Sequence, residues 1–142
     1  MPTSVTYTLS FPFQFDPATG RPYPGMEVIV HGPRGSDRIV GHVDTGADLC
    51  YFSGERAGAL GLDLLSGRAV TATTATGLQA RVYLHRVELE FLGRRVQVEV
   101  AFSAGPIHRE VLGRQGVLDQ IQLGVRERYE TLLLELEFSR TS

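Results

Sequence analysis

Val43-Asp44-Thr45-Gly46-Ala47-Asp48 is the stretch from which the rest of the chain becomes readable. An apolar run, Arg38 to Val43, delivers the backbone to a carboxylate, and a threonine, a glycine and a small residue follow. At the end of a rigid strand Asp44 would point in a fixed direction. Thr45 can hydrogen-bond nearby backbone, and Gly46 permits both a turn and the close approach of a ligand. Alone, the triplet is weak, because Asp and Gly after a strand are ordinary turn residues.

Outward from it the pattern is that of a small β protein. Upstream, Met26, Val28 and Val30 mark one face of a strand, and His31-Gly32-Pro33-Arg34-Gly35 marks the turn after it. Downstream, Ser53 is placed to cap a short helix through Leu60, with Glu55 in its first turn and Gly61 as the stop. Arg68 to Thr73 and Leu78 to Leu84 flank a tip of small residues, Thr74-Ala75-Thr76-Gly77, which predicts a hairpin. Tyr83, His85, Val87, Leu89 and Phe91 alternate with polar residues, and a turn at Leu92-Gly93-Arg94-Arg95 leads into Val96, Val98, Val100 and Phe102. A helical stretch holding Val117, Leu118 and Ile121 is expected to end near Gly124. A last strand carries Leu132, Leu134, Leu136 and Phe138 on one face, with Leu133 apolar on the other.

The triplet gains weight from Val111-Leu112-Gly113-Arg114, two apolar residues and a glycine near the C-terminus. Together the two segments resemble the paired motifs of the retropepsins, the retroviral-type aspartic proteases. The hairpin around Thr74 to Gly77 sits where that family has its flap, and the helix from Ser53 to Leu60 is similar to an insertion in cellular members. The resemblance covers about residues 26 to 138. It implies an all-β, single-domain, closed barrel-like fold with a flap and one or two short helices.

The same resemblance implies roles. Asp44 would be the catalytic carboxylate of an aspartic endopeptidase. Thr45, Gly46, Ala47, Asp48, Gly113 and Arg114 would support the active-site loop, with Thr45 tying two loops together across a dimer axis. Gly46 would bind the substrate main chain, and Asp48 would pair with Arg114 beneath the loop. Val70, Thr71, Thr74, Ala75, Thr76 and Gly77 would form the substrate-binding flap. Neither a metal nor a cofactor is implied.

A dimer follows from counting. Aspartic proteolysis needs two facing carboxylates that share a proton, one acting as base on water while the other donates to the carbonyl oxygen. The chain has one Asp-Thr-Gly and 142 residues, too few for two lobes, so the second aspartate is expected from another copy. By the same resemblance, the strand from Leu132 to Phe138 is the candidate for the interface. The alternative keeps the fold without the chemistry, as a silent dimerisation or peptide-binding module.

Some features depart from the retroviral pattern. The hairpin tip has a single glycine, Gly77, which predicts a stiffer flap, and Gln115-Gly116 follows Arg114. Five of the seven prolines precede Gly25, so residues 1 to 25 read as an irregular arm ahead of a domain from 26 to 142, with one short strand at Phe11, Phe13 and Phe15. Removal of an arm lying in the cleft could itself activate the protein. Ala47 cannot donate a hydrogen bond to an ionised dyad as Ser or Thr would. A pH optimum less acidic than that of pepsin-like enzymes is therefore expected.

Composition excludes several other classes. Hydrophobic residues make up 42% and charged residues 21%, ordinary globular values. A net charge of −2 nominates no nucleic acid. No apolar run approaches the length of a membrane span, and the first fifteen residues lack a signal-peptide pattern. With a single cysteine, Cys50, a cytoplasmic location is expected. Cys50, His42 and Asp48 lie close enough to raise a thiol hydrolase, yet a lone cysteine is more often a small buried hydrophobe. The histidines 31, 42, 85 and 108 show no metal-ligand spacing. Gly58 to Gly61 and Gly113 to Gly116 lack the strand and helix context of a phosphate loop.

Overall fold

The computed structural model describes residues 1–73 and 76–137. The strands, in chain order, are β1 (Leu9–Pro12), β2 (Gln14–Asp16), β3 (Arg21–Tyr23), β4 (Gly25–His31), β5 (Ser36–Val43), β6 (Tyr51–Phe52), β7 (Arg68–Thr73), β8 (Gln79–Phe91), β9 (Arg94–Ser103), β10 (Val111–Leu112), β11 (Ile121–Arg126) and β12 (Thr131–Leu136). A single α-helical turn, α1 (Ala57–Leu60), follows a 3-10 turn over Gly54–Arg56.

Seven strands run in the order β4-β5-β10-β6-β9-β8-β7, and β4 also pairs with β8. That extra pairing, with Val30 opposite Leu89, closes the sheet on itself. Closure removes most edges and makes one interior. The expected all-β closed fold is therefore present. Met26, Val28 and Val30 fill the interior from β4, as their alternation predicts, together with Ile39, Phe52, Leu89, Val100, Phe102 and Leu112. Phe52 and Phe102 meet edge to face at 5.9 Å. Gly41 leaves room for Leu112, whose Cγ would lie 2.6 Å from any Cβ at position 41.

The helix near Ser53 forms as read. The Ser53 hydroxyl accepts from the Glu55 N–H, and Gly61 ends α1 in the left-handed region at φ 73°. The two runs flanking Tyr83 prove to be one strand of 13 residues, β8. It buries Val82 and Leu84 on one face and then His85, Val87, Leu89 and Phe91 on the other.

Two expectations need correction. The helical stretch toward Gly124 is only a 3-10 turn, Leu118–Gln120, after which β11 begins at Ile121. Ile121, Leu123 and Val125 sit at strand period, and β11 pairs along its whole length with β12. Residues 1 to 25 hold three strands instead of one. β1 pairs with β12, giving a three-stranded sheet β1-β12-β11, and β2 and β3 form a hairpin with Phe15 opposite Pro22. In β12, Leu132 and Leu134 are buried, while Leu133 and Leu136 are half-buried. Phe138 lies outside the described residues.

Candidate active site

β10 runs parallel to β5, with Leu112 opposite Val43. Parallel strands end on the same side, so the segment after Val43 and the segment after Leu112 emerge side by side. Backbone bonds join them: Asp44 N–H donates to the Leu112 carbonyl (3.0 Å), Arg114 N–H to Ala47 (2.9 Å) and Gln115 N–H to Asp48 (2.9 Å). Only glycine fits at 113, since a Cβ there would lie 2.2 Å from the Leu49 carbonyl oxygen and 2.8 Å from that of Ala47. The two motifs are thus one structural unit.

Within the loop, Gly46 N–H donates to Asp44 Oδ1 at 2.8 Å and Ala47 N–H to the Asp44 carbonyl at 3.2 Å. The turn fixes the carboxylate by its own backbone. Asp44 is half-buried, while Thr45 and Gly46 at the top of the loop are exposed in the single chain. Arg114 Nε donates to the Thr45 carbonyl at 2.7 Å. The expected Asp48–Arg114 pair exists only at 3.8 Å, with side chains 79% and 63% exposed. At that distance in water it contributes little, on the order of 0–1 kcal/mol.

Asp44 opens into a cavity of about 670 Å³ walled by the β7–β8 hairpin and by the chain between β9 and β10. The expected hairpin is present, with Thr73 opposite Gln79. Its inner wall is Ala72, Thr73, Ala80 and Val82. Val70 instead packs against Val82, Leu84 and Ala101, and Thr71 is exposed. Thr76 and Gly77 are exposed at the tip, and Thr74 and Ala75 lie outside the described residues. Tyr51, Ser103, Ile107, His108, Arg109 and Val111 complete the cavity, and of these the sequence reading had singled out only Val111, as part of the second motif. The alternation of β7 selects position 72 over 71 as inward; Ile107 and Arg109 sit in a loop without periodicity.

The segment bearing Ile107 to Val111 is anchored from behind. Both Glu110 carboxylate oxygens accept from Arg56, which also reaches Asp37 at 2.8 Å. These partners push the Arg56 guanidinium pKa up. Burial and the nearby Asp48 push the Tyr51 hydroxyl up as well, keeping it a neutral donor at the cavity wall.

His42, two residues before Asp44, stacks on Tyr23 at 5.5 Å with its buried Nδ1 unpartnered. Burial, and then the charge of Arg109, lower its pKa, against an opposing pull from Asp44. Cys50 is fully buried, and burial pushes its thiol up to about 11. A thiol so held is not ionised near neutrality, which removes the basis for a thiol hydrolase. Among the described residues no group of three or more His, Cys, Asp or Glu could hold a metal ion, and no helix is long and apolar enough to cross a membrane.

The fold is that of the retropepsin-like aspartic proteases. A retropepsin-like aspartic protease from Rickettsia conorii superposes with a TM-score of 0.61 at 17% identity, over 90% of this chain and 99% of that one. The EIAV protease, solved in complex with an inhibitor, superposes with a TM-score of 0.53 at 19% identity, over 68% of this chain and 86% of that one. No family model and no curated protein matches the sequence.

Proposed function

We propose, from this fold, that two copies of the chain form an aspartic endopeptidase whose dyad is Asp44 of each copy. The observation that carries the reading is Asp44 itself, at the end of β5, oriented by the Gly46 N–H and opening into a cavity beneath a hairpin. In the reaction one carboxylate takes a proton from water as its oxygen attacks the peptide carbonyl carbon. The other carboxyl donates its proton to the carbonyl oxygen. Collapse of the resulting diol breaks the C–N bond: the departing nitrogen takes a proton from one carboxyl, and the other carboxylate takes the proton of a diol hydroxyl, which restores the singly protonated dyad. Neither a cofactor nor a covalent intermediate is required.

Several assignments belong to this proposal. Thr45 and Gly46, exposed on the single chain, would meet their counterparts across a two-fold axis. Asp48, Ala47, Gly113 and Arg114 would support the loop. The hairpin from Val70 to Gly77 would close over an extended peptide, and β12 would contribute to the interface. Residues 1–25 would be an addition to the protease domain at 26–142. The protein would act in the cytoplasm.

The test is cleavage of a mixed peptide library from acid to neutral pH, comparing wild type with Asp44→Asn at concentrations where dimerisation is verified. Cleavage by the wild type alone is the expected result. Binding without cleavage by a verified dimer would leave a peptide-binding module instead. Equal cleavage by both proteins would remove Asp44 from the mechanism.

A further inference from the structure

We propose that Arg109 makes this cleft select an acidic side chain close to the scissile bond, an inference that rests on the endopeptidase reading. Arg109 lines the same cavity as Asp44, and it also lines the two smaller cavities beside Tyr23 and His42. It therefore stands where the catalytic cleft meets the β2–β3 hairpin.

Its guanidinium is unpaired. Among the described residues Arg109 takes part in no ion pair and no side-chain hydrogen bond. The adjacent carboxylate, Glu110, is turned the other way, bound by Arg56 and by the Ser53 N–H. Asp16 and Glu127 share the smaller cavities with Arg109, and neither forms an ion pair with it. A guanidinium has five donors in a planar fork matched to a carboxylate, and here that fork is free. Arg109 is exposed in the single chain, on a cavity wall it shares with the apolar Ile107 and Val111. Its charge already acts on its surroundings: it adds to the burial that lowers the His42 pKa, and it opposes the burial and the Asp16 charge that raise the Tyr23 pKa. The cavity also holds Asp44, Asp48 and His108, of which the two carboxylates would repel an acidic side chain. A glutamate is accepted only where Arg109 offsets them. Two-fold symmetry places one Arg109 on each side of the bond.

The experiment uses the full-length dimer at pH about 6, where glutamate is ionised. Peptides carrying Glu, Gln or Lys at each position around the cleaved bond are compared by kcat/KM with wild type, Arg109→Gln, Arg109→Lys and Arg109→Glu. The same peptides are titrated onto the Asp44→Asn dimer, with and without Arg109→Gln, by fluorescence anisotropy. Glu should be preferred over Gln by about two- to fivefold at one position on each side, the worth of an ion pair to an exposed guanidinium. Arg109→Lys should keep the preference, Arg109→Gln should erase it and Arg109→Glu should shift it to Lys. Peptides bound or cut with no preference for Glu, or a preference that survives Arg109→Gln, would overturn the proposal. So would a failure of every peptide to bind or be cut. An Arg109-dependent preference in binding without cleavage would uphold it and remove the endopeptidase reading instead.

Discussion

The guanidinium of Arg114 holds the backbone carbonyl of Thr45, through an Nε bond of 2.7 Å, and leaves Asp48 at 3.8 Å. The loop that carries Asp44 is therefore braced at its tip by an arginine from the other motif, and the carboxylate of Asp48 is secondary in the single chain. Charge-assisted bonds to a carbonyl are stronger than long, solvated ion pairs.

Unequal costs follow for the two partners. Asp48→Asn should destabilise by less than about 1 kcal/mol in urea denaturation. Arg114→Met should cost about 1–2 kcal/mol, the lower end for a bond to a charged group because the side chain is mostly exposed. Equal losses would mean that the ion pair, not the Thr45 bond, braces the loop.

Gly113→Ala should damage the loop from within. Its methyl group would have to displace two carbonyl oxygens, those of Leu49 and Ala47, both on the strand of chain that carries Asp44. Overpacking of this kind costs about 1–3 kcal/mol. Reduced urea stability with hydrolysis falling further than stability predicts is the expected outcome; a neutral substitution would contradict the close approach.

His42 makes the fold sensitive to acid. Its pKa is lowered in the folded state from 6.5, so below about pH 6.5 the unfolded chain takes up a proton that folded His42 resists. Stability from this group is present above that pH and declines as pH falls, until the folded imidazole also titrates. His42→Phe keeps a ring to stack on Tyr23 and removes both the titration and the unpartnered Nδ1. Its melting temperature should fall less than that of the wild type between pH 7 and 5, as read by calorimetry.

Cys50 should resist alkylation. With no exposure and a thiol held at about 11, it should stay unmodified by iodoacetamide at pH 8 in the folded protein and react after unfolding. Mass spectrometry gives the answer directly. Native-state modification that also stopped hydrolysis would restore thiol chemistry as a possibility.

The sequence was most legible where the chemistry is local. Asp44 to Asp48 and Val111 to Arg114 could be read because each is a short run with a strict residue order, and the parallel pairing of β5 with β10 joins them. The first 25 residues misled because prolines ordinarily end strands. Pro12 and Pro22 lie in an edge strand and in a two-stranded hairpin, where a missing N–H costs no ladder bond. Val117, Leu118 and Ile121 match a helical face by spacing, and the period of two from Ile121 onward prevailed because β12 was there to pair with. The cleft wall at Ile107 and Arg109 carries no repeat of any kind, so only three dimensions place it beside Asp44.

The sheet of β1, β12 and β11 also sets the order of events during synthesis. Thr8 donates its N–H to Glu135, a partner 127 positions later, and Leu9 lies opposite Leu134. A ribosome releases the first of these long before it makes the second. Until then β1 has an unsatisfied edge, and closing so long a loop is slow. The barrel can form from β4 to β10 while the nascent chain waits, but its N-terminal segment cannot dock until β12 has left the exit tunnel. If that sheet also meets a second subunit, the surface that meets it is incomplete until β12 has been made and has paired with β1.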